Sequence, residues 1–234
     1  MKKVLILVLS ADFPPYDKMI QTSKATWDSI EVEGCKTHFY CCASDSIDHK
    51  EGVVYLDVRN GFYEMGYKNI AMFEWILKNE DFDYVARVNA SCYVDKKNLM
   101  EYVQDLPAEN VFAGIVVKEQ YSQEWCWGGM QFIISRDVIQ LMVDGQREWD
   151  HTKMEDVAMS FLVNKFEVPF TNAKGCSIDK TDNGWMCLSY NDKSFEFTDF
   201  NDLKKVKHHF YRVKQDGKRW VDEFLMHQLY NTLK

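Results

Sequence analysis

The sequence predicts an α/β fold, a single domain in which a mostly parallel central sheet is flanked by helices. Residues 3–9 form an unbroken apolar run, which is typical of a strand buried on both faces of a sheet. Farther along, apolar strand-like segments alternate with segments of helical periodicity, a pattern that indicates parallel strands covered by helices. The 234 residues, 46% of them hydrophobic, suffice for one compact core, and no repeat or linker divides them.

The strands are predicted from short apolar runs bounded by turn residues. The first run ends at Ser10, because the polar and proline-rich residues 10–15 stop a strand. Residues 176–185 carry consecutive polar turn residues, so we expect a flexible loop there that folds over a bound ligand. The predicted strands are residues 3–9, 37–43, 53–58, 84–88, 111–117 and 130–134.

The helices are predicted from apolar residues that recur at intervals of three and four. Residues 20, 23, 27 and 30 show this spacing after the first strand, and residues 219–233 form an amphipathic helix at the end of the chain. The remaining helices are expected at residues 67–77, 99–106, 136–143 and 155–163. In such a fold, ligands bind beyond the carboxyl ends of the strands, here at residues 10–12, at residues 89–91 and before Gly128.

Composition and charge exclude several classes of protein. The 28 basic and 36 acidic residues give a net charge of −8, which argues against a general nucleic-acid surface. The first apolar run is far below the roughly 20 residues that span a bilayer, and no other stretch is long enough, so we expect no membrane span. Seven cysteines without a C-x-x-C pair indicate reduced, buried thiols in a cytosolic protein rather than a zinc or thioredoxin motif.

The common nucleotide and hydrolase motifs are absent. No G-x-G-x-x-G follows the first strand and no G-x-x-x-x-G-K-[ST] occurs, which disfavours dinucleotide binding and P-loop chemistry. The sequence also lacks H-E-x-x-H and G-x-S-x-G, so a zinc peptidase and an α/β-hydrolase are disfavoured.

Four blocks, in one order over about residues 1–165, resemble the nucleotide-sugar glycosyltransferases of the β-1,3-galactosyltransferase and Fringe type. Residues 24–27 (KATW) resemble the family's R-x-T-W helix, and residues 61–94 resemble its aromatic helix with a lysine and the following strand. Residues 125–136 resemble its G-G-x-G strand, and residues 155–157 its E-D-V helix start. The resemblance implies a GT-A fold, with nucleotide-sugar binding in about residues 1–120 and acceptor binding and catalysis in about residues 121–234.

The chain departs from this family at the acidic triplet that binds Mn²⁺ or Mg²⁺ at the donor diphosphate. Asn89, Ala90 and Ser91 stand there, and none of them is a carboxylate. Hard divalent cations favour several anionic oxygens, so no cofactor is certain, although Mn²⁺ or Mg²⁺ stays possible. If a metal is used, Asp95 or His209 are the candidate ligands.

Glycosyl transfer needs a base for the acceptor hydroxyl. By its match to E-D-V, Asp156 is the candidate base of an inverting reaction, with Glu155 beside it as a second catalytic candidate. Their place at a predicted helix start favours carboxylates, because the helix dipole is positive there. They could equally be ordinary first-turn acids of that helix.

The leaving diphosphate needs positive charge, which metal would otherwise supply. Residues 204–219 carry seven Lys and Arg against one Asp. In related folds a late histidine and basic residues reach back to the diphosphate, and Arg suits bidentate phosphate contacts. The candidates are His208, His209, Arg212 and Lys214, with Lys68 and Arg87 as secondary candidates, against the alternative of a solvated basic edge.

Further donor and acceptor contacts are expected at the strand exits. Ser10, Ala11 and Asp12 could line the nucleotide-base pocket, or simply form a helix N-terminal turn. Asn89 and Ser91 are expected to hydrogen-bond the donor. Trp125 is assigned to a loop, as are Trp127 and Trp185. The candidates for acceptor contact are Trp127, Gly128, Gly129 and Trp185, because aromatic rings pack on sugars and glycines admit a ligand to the backbone.

These observations favour a glycosyltransferase that moves a sugar from a nucleotide donor, UDP by expectation, to a glycan or glycoconjugate hydroxyl with inversion. The alternatives are a retaining enzyme on the same fold, a non-catalytic nucleotide- or carbohydrate-binding module and, less favoured, a nucleotidyltransferase, which also needs acidic metal ligands. Eukaryotic relatives carry a membrane anchor that this chain lacks, so we expect a bacterial or viral enzyme working in the cytoplasm.

Overall fold

The computed structural model of the chain describes residues 1–11, 13–43, 48–50, 52–59, 61, 64–118, 123–190, 193–215 and 218–234, with backbone alone for residues 43 and 48–50. Helices and strands alternate through the first two thirds. The α-helices are α1 Tyr16–Ala25, α2 Met65–Asn79, α3 Lys96–Gln104, α4 Arg136–Asp144, α5 Glu155–Lys165 and α6 Arg219–Leu233.

The larger sheet runs through the centre of the molecule. Its strands are β1 Val4–Leu9, β2 Cys35–Ala43, β3 Asp48–Lys50, β4 Val53–Asp57, β5 Tyr84–Asn89, β7 Phe112–Val117, β8 Trp125–Trp127, β9 Gln131–Ser135 and β10 Phe170–Asn172, while β6 Cys92–Val94 belongs elsewhere. Along the described sheet the order is β10-β7-β9-β5-β1-β2-β4-β3, with β8 beside β7. β1 is parallel to both β2 and β5, whereas β9 is antiparallel to β5 and β7.

A second, smaller sheet is built mainly from the last third of the chain. Its further strands are β11 Gly175–Lys180, β12 Trp185–Tyr190, β13 Phe195–Phe197 and β14 Phe210–Arg212. The order is β13-β12-β11-β14-β6, so the basic segment of the sequence lies beside the strand that follows the Asn-Ala-Ser triplet. Residues 200–205 form a 3-10 helix between β13 and β14.

Two apolar layers lie on opposite faces of the larger sheet, because successive side chains of a strand point to opposite sides. Val4, Ile6 and Val8 of β1 pack in the layer that includes side chains of α1, α6 and the smaller sheet. Leu5 and Leu7 pack in the layer that includes α2, α4 and α5. Burial on both faces explains why β1 is apolar at every position.

The structure confirms the predicted α/β class, with a central sheet flanked by helices. The large sheet is more mixed than predicted, since β3, β8 and β9 run antiparallel to their neighbours. Two predictions were wrong. Residues 176–185 are not a loop but most of the β11–β12 hairpin, and Trp125, Trp127 and Trp185 stand on strands, because pairing across the sheet overrides local turn chemistry.

Two properties of the described residues concern membranes and thiols. None of the described helices is both long and apolar enough to cross a membrane. All seven cysteines are free thiols, and six of them are buried.

Candidate active site

A cavity opens at the carboxyl ends of β1 and β5, where Leu9 and Asn89 are neighbours in register. Its volume is about 460 Å³, within the range of small-molecule sites. The cavity joins residues from both sheets and from α5 and α6. The lining residues are Leu9, Tyr16, Met65, Asn89, Ser91, Trp127, Gly128, Gly129, Met154, Glu155, Asp156, Arg212, Lys214 and Arg219.

Asn89, the first residue of the triplet, is tied to the opposite side of the cavity. Its Nδ2 donates to the carbonyl oxygens of Gly128 and Gly129, each at 3.1 Å. The amide therefore fixes the glycine pair against the end of β5. A carboxylate at this position would face two carbonyl oxygens without a proton to offer them.

Glu155, the first residue of α5, is held on both carboxylate oxygens. Its Oε1 forms an ion pair with the buried guanidinium of Arg87, and its Oε2 accepts a hydrogen bond from Asn69 Nδ2 at 2.6 Å. Asn69 in turn accepts from the Tyr40 hydroxyl at 2.6 Å. Burial raises the pKa of Glu155 and the charge of Asp156 adds to this, while Arg87 opposes it. The network gives Glu155 a positioning role.

Asp156 differs from Glu155 because its partners are backbone groups. Its Oδ2 accepts from Gly128 N and its Oδ1 from Val157 N, both at 2.9 Å. Each oxygen keeps a second lone pair, so the carboxylate can still accept a further proton donor from the cavity. The side chain is thus oriented by the chain itself while it lines the cavity.

The Gly128–Gly129 pair lies between the carboxylate of Asp156 and the guanidinium of Arg212. A Cβ on Gly128 would stand 2.6 Å from Asp156 Cβ, and one on Gly129 would stand 2.5 Å from Arg212 Nη1 and collide with the Trp127 ring. Consecutive Cα atoms are about 3.8 Å apart. Asp156 and Arg212 therefore approach two successive residues of one backbone segment, which has no room for side chains there.

Arg212 reaches this position because the smaller sheet carries it there. In β14 it is paired with Cys92 of β6, and Val213 N donates to Ser91 O at 3.0 Å. The guanidinium lies over the Trp127 ring at 4.8 Å. The basic segment is consequently attached by a backbone hydrogen bond to Ser91, the last residue of the Asn89–Ser91 triplet.

Arg219 is a further cation of the cavity, at the first turn of α6. Its Nη1 pairs with the buried Asp222 at 2.8 Å, and its guanidinium lies 5.7 Å from the Tyr16 ring centroid. Asp222 Oδ1 also accepts from Gln215 N at 2.7 Å, so one buried carboxylate fixes both α6 and the end of the basic segment. Burial raises the pKa of Asp222, and the hydrogen bond from Arg219 opposes the rise.

The structure brings nine of the sequence-predicted site residues together in this cavity. Glu155 and Asp156 form one side, and Arg212 and Lys214 belong to the opposite side. The nine are Asn89, Ser91, Trp127, Gly128, Gly129, Glu155, Asp156, Arg212 and Lys214.

Five further candidates adjoin the site from beneath or lie outside the described residues. Ser10 and Ala11 are buried directly after β1, and the buried Lys68 donates from Nζ to Ser10 O at 2.9 Å. Arg87 is fully buried behind the cavity, where its Nη1 donates to Gly128 O at 3.3 Å. Asp12 lies outside the described residues.

Four candidates do not lie where the sequence analysis put them. His208 and His209 are buried away from the cavity, because their segment packs against β6 and α3 rather than facing solvent. Burial lowers the pKa of His209 to about 3, so its ring is neutral and supplies no charge to a diphosphate. Asp95 caps α3 through Asn98 N at 3.0 Å. Trp185 lines a different cavity, of about 380 Å³, together with Trp220 and Phe224.

Sequence reasoning missed two residues that the site uses. Asn69 is fully buried on α2 and joins Tyr40 to Glu155, and nothing in its sequence context singles it out. Arg219 lies within the basic segment 204–219, so the charge run contained it, but only the position of α6 makes it a cavity residue.

The side chains at the triplet do not fit a hard divalent cation. The side-chain amide of Asn89 donates both its protons to carbonyl oxygens, the Ala90 side chain has no ligand atom, and Ser91 offers one hydroxyl. Of the cavity carboxylates, Glu155 is neutralised by Arg87, which leaves Asp156. Mg²⁺ and Mn²⁺ sites need several oxygen ligands, carboxylates among them, so no step of the chemistry below uses a metal.

Comparison with known proteins gives a fold. No protein-family model and no curated protein sequence matches the chain. Among solved structures, the chain is similar to a glycosyltransferase involved in the glycosylation of the major capsid of PBCV-1, with a TM-score of 0.52 and 12% identity. The match covers 95% of this chain and 99% of that one. The chain therefore has the fold of a glycosyltransferase over nearly its whole length.

Proposed function

We propose that the protein is a glycosyltransferase that moves a sugar from a nucleotide donor, UDP-sugar by our expectation, to a hydroxyl of a glycan or glycoconjugate. One observation carries the proposal. On a fold shared with a glycosyltransferase, Asp156 and Arg212 flank the Gly128–Gly129 pair in a cavity at the strand ends. Ligands of open α/β sheets bind at that edge.

In the proposed reaction, Asp156 is the general base. The acceptor oxygen forms a bond to the anomeric carbon while its proton passes to a carboxylate oxygen of Asp156. The bond from that carbon to the diphosphate oxygen breaks, and its electron pair leaves with the nucleoside diphosphate. Attack from the face opposite the leaving group inverts the anomeric centre. Glu155 holds Arg87 and the α5 start in place and does not take the proton.

Arg212, Lys214 and Arg219 are proposed to stabilise the departing diphosphate. Developing negative charge on the leaving group is best met by preorganised cations. Arg212 is fixed by β14 and by its stacking on Trp127, and Arg219 by Asp222. These cations replace the charge that a metal would bring in relatives with an acidic triplet.

The donor's nucleoside is proposed to bind near the end of β1. Ser10 and Ala11 follow that strand, and Lys68 fixes the Ser10 carbonyl. Ser91 lines the cavity and can hydrogen-bond the ribose or the donor sugar. Asp12 belongs to this proposal by sequence alone.

The acceptor is proposed to lie along Trp127 and to extend into the second cavity. Lys218 lines the second cavity and the next residue, Arg219, lines the first, so the two cavities are adjacent. Trp220 is 70% exposed at that boundary and offers a face for a sugar ring. We expect Trp220→Ala to raise the acceptor KM several-fold with the donor KM unchanged. Leu188→Ala, an exposed apolar residue elsewhere, is the matched control.

The deciding experiment is a panel of nucleotide sugars tested for donor hydrolysis and for transfer, with and without EDTA. We expect UDP-sugar turnover that persists in EDTA and a product whose anomeric configuration is inverted by NMR. Retention of configuration would replace the base role of Asp156 with a sugar contact. Nucleotide binding without turnover would favour the non-catalytic module, which the loss of the acidic triplet supports. Absence of any nucleotide binding would overturn the proposal.

The acceptor class and the compartment complete the proposal. The similar solved protein is named for glycosylation of a viral capsid, which accords with a glycoconjugate acceptor. Seven free cysteines suit the reducing cytoplasm, where we expect the enzyme to work.

A further inference from the structure

Three metal-ligating side chains meet inside the smaller sheet, away from the cavity. Cys176, Cys187 and His208 are each buried to about 99% or more. One ligand atom from each lies within 4.8 Å of the other two. Among the described residues, this is the one group of three His, Cys, Asp or Glu side chains close enough to share a metal ion.

Strand pairing brings the three together from separate parts of the chain. β11 and β12 pair with Cys176 opposite Ser189 and Ile178 opposite Cys187, so the two thiols are diagonal neighbours on one face. β14 pairs with β11 at Cys176 and Tyr211, and His208, in the segment that enters β14, has a ring nitrogen within 4.8 Å of both sulfurs. No spacing in the sequence indicates this group, because its members come from two strands and from the segment that precedes a third strand.

Ser189 and the second nitrogen of His208 complete the polar surroundings of the group. Ser189 Oγ lies 2.9 Å from His208 Nε2 and 3.6 Å from Cys187 Sγ. His208 Nδ1 is buried and has no hydrogen-bond partner among the described residues. Buried polar atoms are nearly always paired, so a buried imidazole nitrogen with no partner among the described residues requires an explanation.

We propose that Cys176, Cys187 and His208 bind one Zn²⁺ ion, with a water or the Ser189 hydroxyl in the fourth position. Two sulfurs and an imidazole are the donors that Zn²⁺ prefers, whereas Mg²⁺ and Mn²⁺ prefer oxygen. Zn–S bonds of about 2.3 Å and Zn–N bonds of about 2.0–2.1 Å place ligand atoms about 3.3–3.8 Å apart in a tetrahedron. The present separations, all within 4.8 Å, would shorten by at most about 1.5 Å on binding.

The ion would connect β11, β12 and the segment entering β14. Arg212 follows His208 by four residues on that strand, so the proposed ion fixes the basic side of the cavity without contacting it. The role is structural, and it does not depend on the proposed glycosyl transfer.

The test is metal analysis of the purified full chain, followed by replacement with Co²⁺. We expect one zinc per chain and, with Co²⁺, thiolate-to-cobalt charge transfer together with the visible bands of a tetrahedral ion. Cys187→Ser, which leaves one thiol and His208, should weaken cobalt binding and reduce the charge-transfer band. Cys41→Ser, which removes a buried thiol outside the group, should leave the band unchanged. Cys176→His, which keeps three ligands, should retain the metal with weaker charge transfer.

Several results would overturn the proposal. One is that the full chain takes up no zinc after dialysis against a zinc solution, and another is a cobalt spectrum without thiolate bands. A third is that Cys41→Ser loses as much of the charge-transfer band as Cys187→Ser. A Cys176–Cys187 disulfide found by mass spectrometry would do the same. If Cys187→Ser does not fold, the test is protection of the thiols from alkylation. Zinc should slow the alkylation of Cys176 and Cys187 in the unmodified chain. Equal alkylation rates with and without zinc would contradict the site.

Discussion

The acidic and basic sides of the cavity are built in different ways. The acidic side belongs to the larger sheet and α5, where Glu155 is held by Arg87 and Asn69 and Asp156 is held by backbone N–H groups. The basic side belongs to the smaller sheet and α6, where Arg212 rests on Trp127 and Arg219 on Asp222. The acidic side is held within a buried hydrogen-bond network. The basic side consists of long side chains that pack against an aromatic ring or pair with a carboxylate.

Under the proposed function, the difference suits the two sides to different tasks. A base must stand within hydrogen-bond reach of one proton, so a rigid, buried support suits it. Cations that meet a diphosphate act over a longer range and tolerate small displacements. We therefore expect substitutions on the acidic side to act on kcat or on stability, and substitutions on the basic side to act on donor affinity.

The largest expected effect is that of Asp156→Asn on the rate. Loss of a general base typically costs about a hundredfold to ten-thousandfold. We expect kcat to fall by that amount while the Kd for UDP changes less than threefold, because the cations are untouched. Single-turnover kinetics and calorimetric titration with UDP measure the two quantities.

The control for this prediction is Asp150→Asn, which removes an exposed acid paired with Lys153. It should leave kcat and Kd unchanged. A Asp156→Asn variant that transfers sugar at the normal rate would eliminate Asp156 as the base.

The next effect concerns stability. Glu155→Gln leaves the Arg87 guanidinium buried without its counter-charge, and breaking a buried pair costs about 3–5 kcal/mol of unfolding free energy. The double variant Arg87→Met with Glu155→Leu should recover much of that loss, because an apolar pair of similar volume replaces two buried charges. Urea unfolding of the single and double variants measures the coupling. Equal losses in the single and double variants would contradict a mutual dependence.

On the basic side, Arg212→Ala should weaken UDP binding by about 1.5–3 kcal/mol, which is the range of a charge-assisted hydrogen bond. Lys214→Ala should act in the same direction, and both effects should shrink at high salt. Lys207→Ala is the matched control, because Lys207 lies in the same basic segment, is 80% exposed and pairs with Glu101. Equal effects at positions 207 and 212 would mean that only overall charge matters.

Gly129→Ala should have a smaller effect of the same kind. Its Cβ would displace the Trp127 ring and the Arg212 guanidinium, so the loss of UDP affinity should not exceed that of Arg212→Ala. In the double variant the second change should add little, since both act on one side chain. Full additivity in a double-mutant cycle would show that Gly129 acts independently of Arg212.

The sequence predicted the larger sheet well and the smaller one poorly. β1 is apolar at all six positions, and β5 and β9 contain the apolar runs 84–86 and 132–134. Nearly every residue of the three strands is buried, so these apolar runs mark them in the sequence. β13 and β14 have only three residues each, which is too short for a clear pattern. β13 pairs with the preceding strand β12, and β14 pairs with β6, far away in the chain. The sequence indicated the turn residues at 181–184, but it did not indicate that the segments on either side are the paired strands of a hairpin.

The site shows the same division. Asp156 and the glycine pair were found because they belong to contiguous motifs. His208 and His209 were misplaced because a charge run says nothing about burial, and both rings are about 1% exposed. Asn69 and the Cys176–Cys187–His208 group have no sequence signal, since each depends on contacts between separate elements of the fold.

The pairing of β6 with β14 also sets an order of assembly during synthesis. The acidic side requires nothing after α5, so it can form while the last third of the chain is still being made. The basic side requires Arg212 to find Cys92, a contact of very large sequence separation that forms late. A nascent or truncated chain ending before β14 would thus hold the base in place with no cations facing it, and donor binding would begin only when the chain is nearly complete.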